Sequence, residues 1–195
     1  EISRLVCEGQ QADMDFASKN DITENEYFEM IKNKTAVLIG CSFMFGAIVA
    51  EANDLNTNLL YEIGLNLGIA FQLEDDLLDC FGDQEKFGKK IGGDITEKKK
   101  TLLYLFTKSN LEPKKKLEFE NIFNSNEIAE SEKINSIKLF YETSGALKYV
   151  KNKVKVYFDK ADQLINKLEL DNDTKRKLNQ FSKTLLNREI WNSFK

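Results

Sequence analysis

The chain has 195 residues, enough for one domain with a substantial core. Its net charge of −4 offers no dominating basic face and argues against nucleic acid as a partner, and the absence of histidine rules out, within it, a catalytic imidazole or a zinc or iron site built on one. Cys7, Cys41 and Cys80 are odd in number and scattered, which predicts a reduced, cytoplasmic setting rather than a disulfide framework.

The hydrophobic periodicity is helical nearly throughout, and no alternating strand stands out. An all-α fold, with 1–195 as a single domain, is expected. Residues 2–18 read as a helix stopped by Ser18-Lys19-Asn20-Asp21. Thr23, with Glu26 three residues on, forms a capping box that starts the next helix. That helix carries Tyr27, Phe28, Met30 and Ile31 and leads through Lys34-Thr35 into an apolar run ending near Ala52. The stretch from Ala36 to Ala50, interrupted by Gly40, Ser42 and Gly46, is short for a membrane span and predicts a buried core helix. Asp54 to Asn56 is expected to turn, and a long helix follows over about 58–80. Gly64 and Gly68, four apart, clear one stripe of it for close helix packing. Residues 81–94 form a loop rich in glycine and charge. Helices are expected over 95–109, over 112–123 from Pro113, and over 127–144, 145–169 and 173–192. No signal peptide is visible, and Glu1-Ile2-Ser3-Arg4 opens without an initiator Met on a helix already under way, which points to a fragment.

The long helix ends on Phe71-Gln72-Leu73-Glu74-Asp75-Asp76-Leu77-Leu78-Asp79. At about 100° per residue, with Gln72 at zero, Asp76 falls near +40°, Asp79 near −20° and Asp75 near −60°. One amide and three carboxylates therefore share an arc, while Leu73, Leu77 and Leu78 point elsewhere. Like charges so placed repel; either a cation relieves them or one carboxylate has a raised pKa. Oxygen-only donors suit Mg2+, which binds through one or two carboxylates plus substrate phosphates. An acidic helix end that is merely solvated is the plain alternative.

Three further groups could converge on these aspartates. Gly9-Gln10-x-x-Asp13 puts an amide and a carboxylate on adjacent turns of the first helix. Lys34-Thr35 sits where a polar helix becomes apolar, at the rim of a cavity or as an ordinary snorkelling lysine. Gly88-Lys89-Lys90-Ile91-Gly92-Gly93-Asp94 supplies pliable backbone and two cations, and Lys98-Lys99-Lys100 follows. Lysines here fit an anionic diphosphate, or a solvated face.

In order and spacing, Glu8-Gly9-Gln10-x-x-Asp13, Lys34-Thr35, Phe71-Gln72-x-x-Asp75-Asp76-x-x-Asp79, Gly88-Lys89-Lys90-x-Gly92-x-Asp94 and Lys99-Lys100-Thr101 resemble the trans-isoprenyl diphosphate synthases, or polyprenyl synthetases. The match runs from residue 1 to about 103; the remainder fits the family's closing helices loosely. The resemblance implies antiparallel helices around a central cavity, a homodimer and no transmembrane segment. It also implies a Mg2+-dependent prenyltransferase that condenses an allylic diphosphate with isopentenyl diphosphate. By carry-over, Asp75 would ligate a metal, Asp76 and Asp79 would do so directly or through water, and Asp13 would support that site. Lys34 and Lys90 would bind the allylic diphosphate, Thr35 and Gln72 would line the reacting centre, and Gln10 and Lys99 would lie beside the diphosphate. The family's first aspartate-rich motif, with its arginine pair, has no counterpart in these residues. That departure predicts the C-terminal part of a synthase, with the 195-residue chain alone inactive, or else a non-catalytic helical subunit.

Overall fold

The computed structural model describes residues 1–19, 21–82 and 91–186, with the side chain of Leu186 excepted. Among them there are helices and no strands. They divide into two compact units, one of residues 1–13, 28–74 and 153–186, the other of the described residues within 14–27 and 75–152. Helix α1 spans Ile2–Phe16 and α2 spans Glu24–Ile31. A single π-helical turn, Lys32–Ala36, joins α2 to α3, Val37–Val49. Helix α4 runs Asp54–Phe81 and the short α5 Gly93–Thr96. Then come α6 Leu102–Asn110, α7 Pro113–Asn124, α8 Glu130–Thr143, α9 Ala146–Lys167 and α10 Asn172–Leu186. No helix among the described residues is long and apolar enough to cross a membrane.

In the first unit, Ile63 and Leu67 of α4 pack with Ala161 and Ile165 of α9 and with Leu168, and Phe43, Leu178 and Leu185 close the edges. The glycine stripe of α4 does what its spacing predicts. A Cβ on Gly64 would lie 2.6 Å from the Gly40 Cα, and one on Gly68 2.5 Å from the Ala36 Cα, so only hydrogen lets α4 lie this close to the π turn and α3. In the second unit an aromatic cluster forms the core. Tyr104 of α6 lies 4.4 Å, centroid to centroid, from Phe123 of α7, and Phe119 meets Phe140 of α8 edge-on at 5.4 Å.

Three expectations about elements need correction. Asp54 begins α4 rather than a turn, because Asn53 caps it: its Oδ1 accepts the Asn56 N–H at 2.8 Å. Helix does not run through 95–109. The chain leaves it at Glu97, Lys98 takes a left-handed φ of 57°, and extended Thr101 precedes α6. The residues there are good helix formers, but Lys98 Nζ donates to the Asn124 carbonyl at 2.7 Å and Lys100 Nζ to that of Phe16 at 2.9 Å, contacts a continuing helix would not be free to make. Finally, α3 is not wholly buried. Val37, Gly40, Cys41 and Ala47 are buried, whereas Leu38, Phe45, Ile48 and Val49 are each more than half exposed, since a helix apolar on all sides buries only the stripe that its neighbours cover.

Candidate active site

The first unit assembles one group of the expected residues. A Cβ on Gly9 would collide with the Lys34 backbone nitrogen, so α1 rests directly on the π-helical turn. One turn further along α1, Asp13 meets that lysine: Lys34 Nζ donates to Asp13 Oδ2 at 2.5 Å, both side chains part-buried. The π turn closes with the Val37 N–H on the Lys32 carbonyl, five residues back. Its extra residue shifts the helical register between α2 and α3 at Lys34 and Thr35, and such insertions are frequent at functional sites. Thr35 Oγ1 then donates to Gln72 Oε1 on α4 at 2.8 Å. The amide and carboxylate of the Gly9-Gln10-x-x-Asp13 motif part company here. Asp13 is drawn to Lys34, while Gln10 lies exposed on α1.

The second unit holds the aspartates. Asp76 is buried, 7% exposed, and Tyr27 donates its hydroxyl to Oδ2 at 2.6 Å. Asp79 is gripped by the turn into α5: the Asp94 N–H donates to its Oδ2 at 2.9 Å and the Gly92 N–H to its carbonyl at 2.7 Å. A Cβ on Gly93 would sit 3.0 Å from Asp79 Oδ1, and Gly92 has a φ of 84°, so both glycines serve this clasp. Asp94 in turn accepts Lys99 Nζ at 2.9 Å. Asp75 is part-exposed on α4. Lys90, with Gly88 and Lys89, falls outside the described residues.

Burial and the neighbouring Asp94 and Asp75 charges push the Asp79 carboxyl up to about 6, against the pull of the Asp94 N–H and Lys99. Burial also raises Asp94 from its ordinary value, against the pull of Lys99. Burial works against the Lys99 ammonium, yet its bonds to Asp94 and Glu97 hold its pKa above the ordinary lysine value. The Cys80 thiol, buried beside these charges, is pushed well above its usual range, so no reactive thiolate forms there.

The Asp79 shift has a testable sign. The free carboxyl titrates near 3.8, the folded one near 6, so the unfolded chain sheds its proton first and stability falls as pH rises between those values. Asn cannot titrate, but its oxygen can still accept the Asp94 N–H. In EDTA, Asp79→Asn should match wild type near pH 4 and exceed it by a few degrees in thermal midpoint at pH 7.5. A difference between the two proteins that is flat with pH would contradict this account of the shift.

One residue here belongs to no motif. Tyr27 is 49 positions from Asp76 in sequence, and nothing local signals the pairing. Asp94 ends the glycine-rich motif, and its position, fifteen residues after Asp79, is what closes the clasp. The lysine run resolves into three different roles: Lys98 bonds the end of α7 at Asn124, Lys99 joins the carboxylates, and Lys100 bonds carbonyls at the end of α1. Among the described residues no three carboxylate or thiolate groups gather tightly enough to hold a metal unaided. The donor chemistry nevertheless fits a hard divalent cation that keeps waters and phosphate oxygens in its shell, because the groups are all oxygen donors and Asp79, part-buried beside the Asp94 and Asp75 charges, would be relieved by a cation.

A family model described as Polyprenyl synthetase matches residues 1–140. The chain is 37% identical over 173 residues to the geranylgeranyl diphosphate synthase of Saccharolobus solfataricus, covering 89% of this chain and 52% of that protein. It overlays a crystal structure of a geranylgeranyl pyrophosphate synthase with a TM-score of 0.89 at 42% identity, covering 95% of this chain and 57% of that one. A polyprenyl synthase from Caulobacter crescentus CB15, solved with calcium and isoprenyl diphosphate, overlays with a TM-score of 0.86 at 30% identity, covering 95% and 56% of the two chains. The chain spans about half the length of this and other curated geranylgeranyl diphosphate synthases that it matches.

Proposed function

Because the chain belongs to the polyprenyl synthetase family, we propose that it carries part of the catalytic apparatus of a prenyltransferase joining an allylic diphosphate to isopentenyl diphosphate. The observation that carries this reading is that each unit holds its share of the motif residues in place: Lys34 on Asp13 and Thr35 on Gln72 in the first, Asp76 on Tyr27 and Asp79 on the Asp94 N–H in the second. In such a reaction the C1–O bond of the allylic substrate breaks and its electron pair leaves with the diphosphate. The C3–C4 double bond of isopentenyl diphosphate then attacks C1, and loss of a proton restores a double bond.

Asp75, Asp76 and Asp79 would hold Mg2+, which when bound supplies charge neutralisation to the departing diphosphate. By family carry-over Lys34, held in place by Asp13, would meet the departing diphosphate as a compact point charge. Thr35 donates its hydroxyl hydrogen bond to Gln72 Oε1, which turns the negative end of its O–H dipole away from Gln72, the polarity that would stabilise a carbocation. Lys99 holds Asp94, and Asp94 holds Asp79. By family carry-over Lys90 would add a second cation toward the diphosphate, with Gln10 nearby, and two copies of the protein would pair.

The site predicts synergy between metal and anion. In a thermal-shift assay, Mg2+ with inorganic diphosphate or a bisphosphonate should raise the midpoint by several degrees, and either alone by much less, because only the pair completes the metal's shell. Equal shifts from the anion with and without Mg2+ would overturn the metal assignment.

A further inference from the structure

We propose that Tyr27 is a positioning residue for the metal-binding edge of α4, acting through Asp76; this rests on the reading that the α4 aspartates hold the metal. Of the three aspartates only Asp76 is buried, and a buried carboxylate needs donors to remain an anion. Tyr27 is one such donor. Its hydroxyl stands 2.6 Å from Oδ2, within the short range typical of hydrogen bonds to a carboxylate, and its ring is 1% exposed. The ring has little freedom to move. It sits on the first turn of α2, one residue after Glu26, whose carboxylate accepts the Thr23 N–H at 2.8 Å and whose own N–H donates to Thr23 Oγ1 at 3.2 Å. The capping box therefore fixes the helix, the helix fixes the ring, and the ring commits Oδ2. The direction of Oδ1 follows from that commitment. Asp76 in this arrangement holds its carboxylate in one orientation, instead of sampling rotamers that a metal would have to select among.

Nothing in the chemistry of ionisation requires a phenol at Tyr27, and its hydroxyl is satisfied by the carboxylate rather than by a substrate. Its effect should therefore appear in the affinity for metal before it appears in the chemical step. The test uses the protein in its natural length and compares wild type, Tyr27→Phe, Asp76→Asn and the double variant. Both the rate and the diphosphate-dependent thermal shift are titrated with Mg2+. Tyr27→Phe should raise the Mg2+ concentration for half-maximal rate about tenfold, as expected for loss of one charge-assisted hydrogen bond. The thermal shift should move to higher Mg2+ in parallel, and the rate at saturating Mg2+ should fall much less. In the Asp76→Asn background, Tyr27→Phe should add less than about twofold, because the bond it removes has already lost its charge.

A folded Tyr27→Phe protein with a wild-type Mg2+ midpoint would overturn the proposal. So would Tyr27→Phe and Asp76→Asn effects that multiply. If Tyr27→Phe alone fails to fold, the comparison between Asp76→Asn and the double variant still decides, since no buried charge is then stranded. Asp75→Ala separates the two levels of the argument. If it shifts the Mg2+ midpoint and Tyr27→Phe does not, only the positioning role fails; if neither does, the metal reading itself fails.

Discussion

Replacing Asp75 by alanine is expected to lower kcat about a thousandfold in the natural-length protein, the loss that corresponds to about 4 kcal/mol of transition-state stabilisation supplied through a metal. The thermal midpoint should move by only a few degrees. Asp75 is part-exposed on α4, and its removal withdraws one repelling charge from Asp79 and Asp94. Stability and activity thus diverge in this variant, which separates a functional carboxylate from a structural one. Excess Mg2+ should restore the rate only in part, since the lost ligand cannot be replaced by concentration alone. A variant that keeps more than about a tenth of the wild-type kcat would remove Asp75 from the site.

Lys34→Gln is expected to lower kcat by about a hundred- to a thousandfold, as for other charged or donor groups aimed at a developing anion. The substitution keeps length and polarity but removes the charge. Its structural cost is small, because a part-exposed ion pair such as Lys34–Asp13 contributes only about 1 kcal/mol or less. Lys34→Arg should recover some activity without reaching wild type, because a planar guanidinium presents its charge differently from an ammonium held by Asp13. A kcat within about threefold of wild type for Lys34→Gln, with KM alone increased, would show that Lys34 only binds substrate.

Much of this was legible from residue types at fixed spacing. The Thr23–Glu26 capping box and the Gly64–Gly68 stripe rest on local helix geometry and have the structure their spacing predicts, and the aspartates fall near the end of the long helix as expected. The buried face of α9, with Val150, Val154, Ala161 and Ile165, follows its periodicity in the same way. What stayed hidden depends on distant partners. Glu97 to Lys100 read as helix from composition, but Lys98 and Lys100 reach carbonyls 26 and 84 positions away and the helix breaks to let them. The π-helical turn at Lys32–Ala36 leaves no periodic trace in so short a segment, yet it sets the register of Lys34 and Thr35. The role of Gly9 was hidden for the same reason: its missing side chain matters only because the Lys34 backbone occupies that space. The exposed apolar face of α3 could not be foreseen from a run that is apolar on every side.

The central claim is carbon–carbon bond formation between two diphosphates. Its most direct measurement incubates the natural-length protein with labelled isopentenyl diphosphate, an allylic diphosphate and Mg2+, and resolves the products by chromatography after removal of the diphosphate. The expected products are labelled alcohols longer than the allylic primer by multiples of five carbons, abolished by EDTA and by Asp75→Ala. Label that remains in isopentenyl diphosphate, in a preparation whose Mg2+ and diphosphate binding is intact, would contradict it.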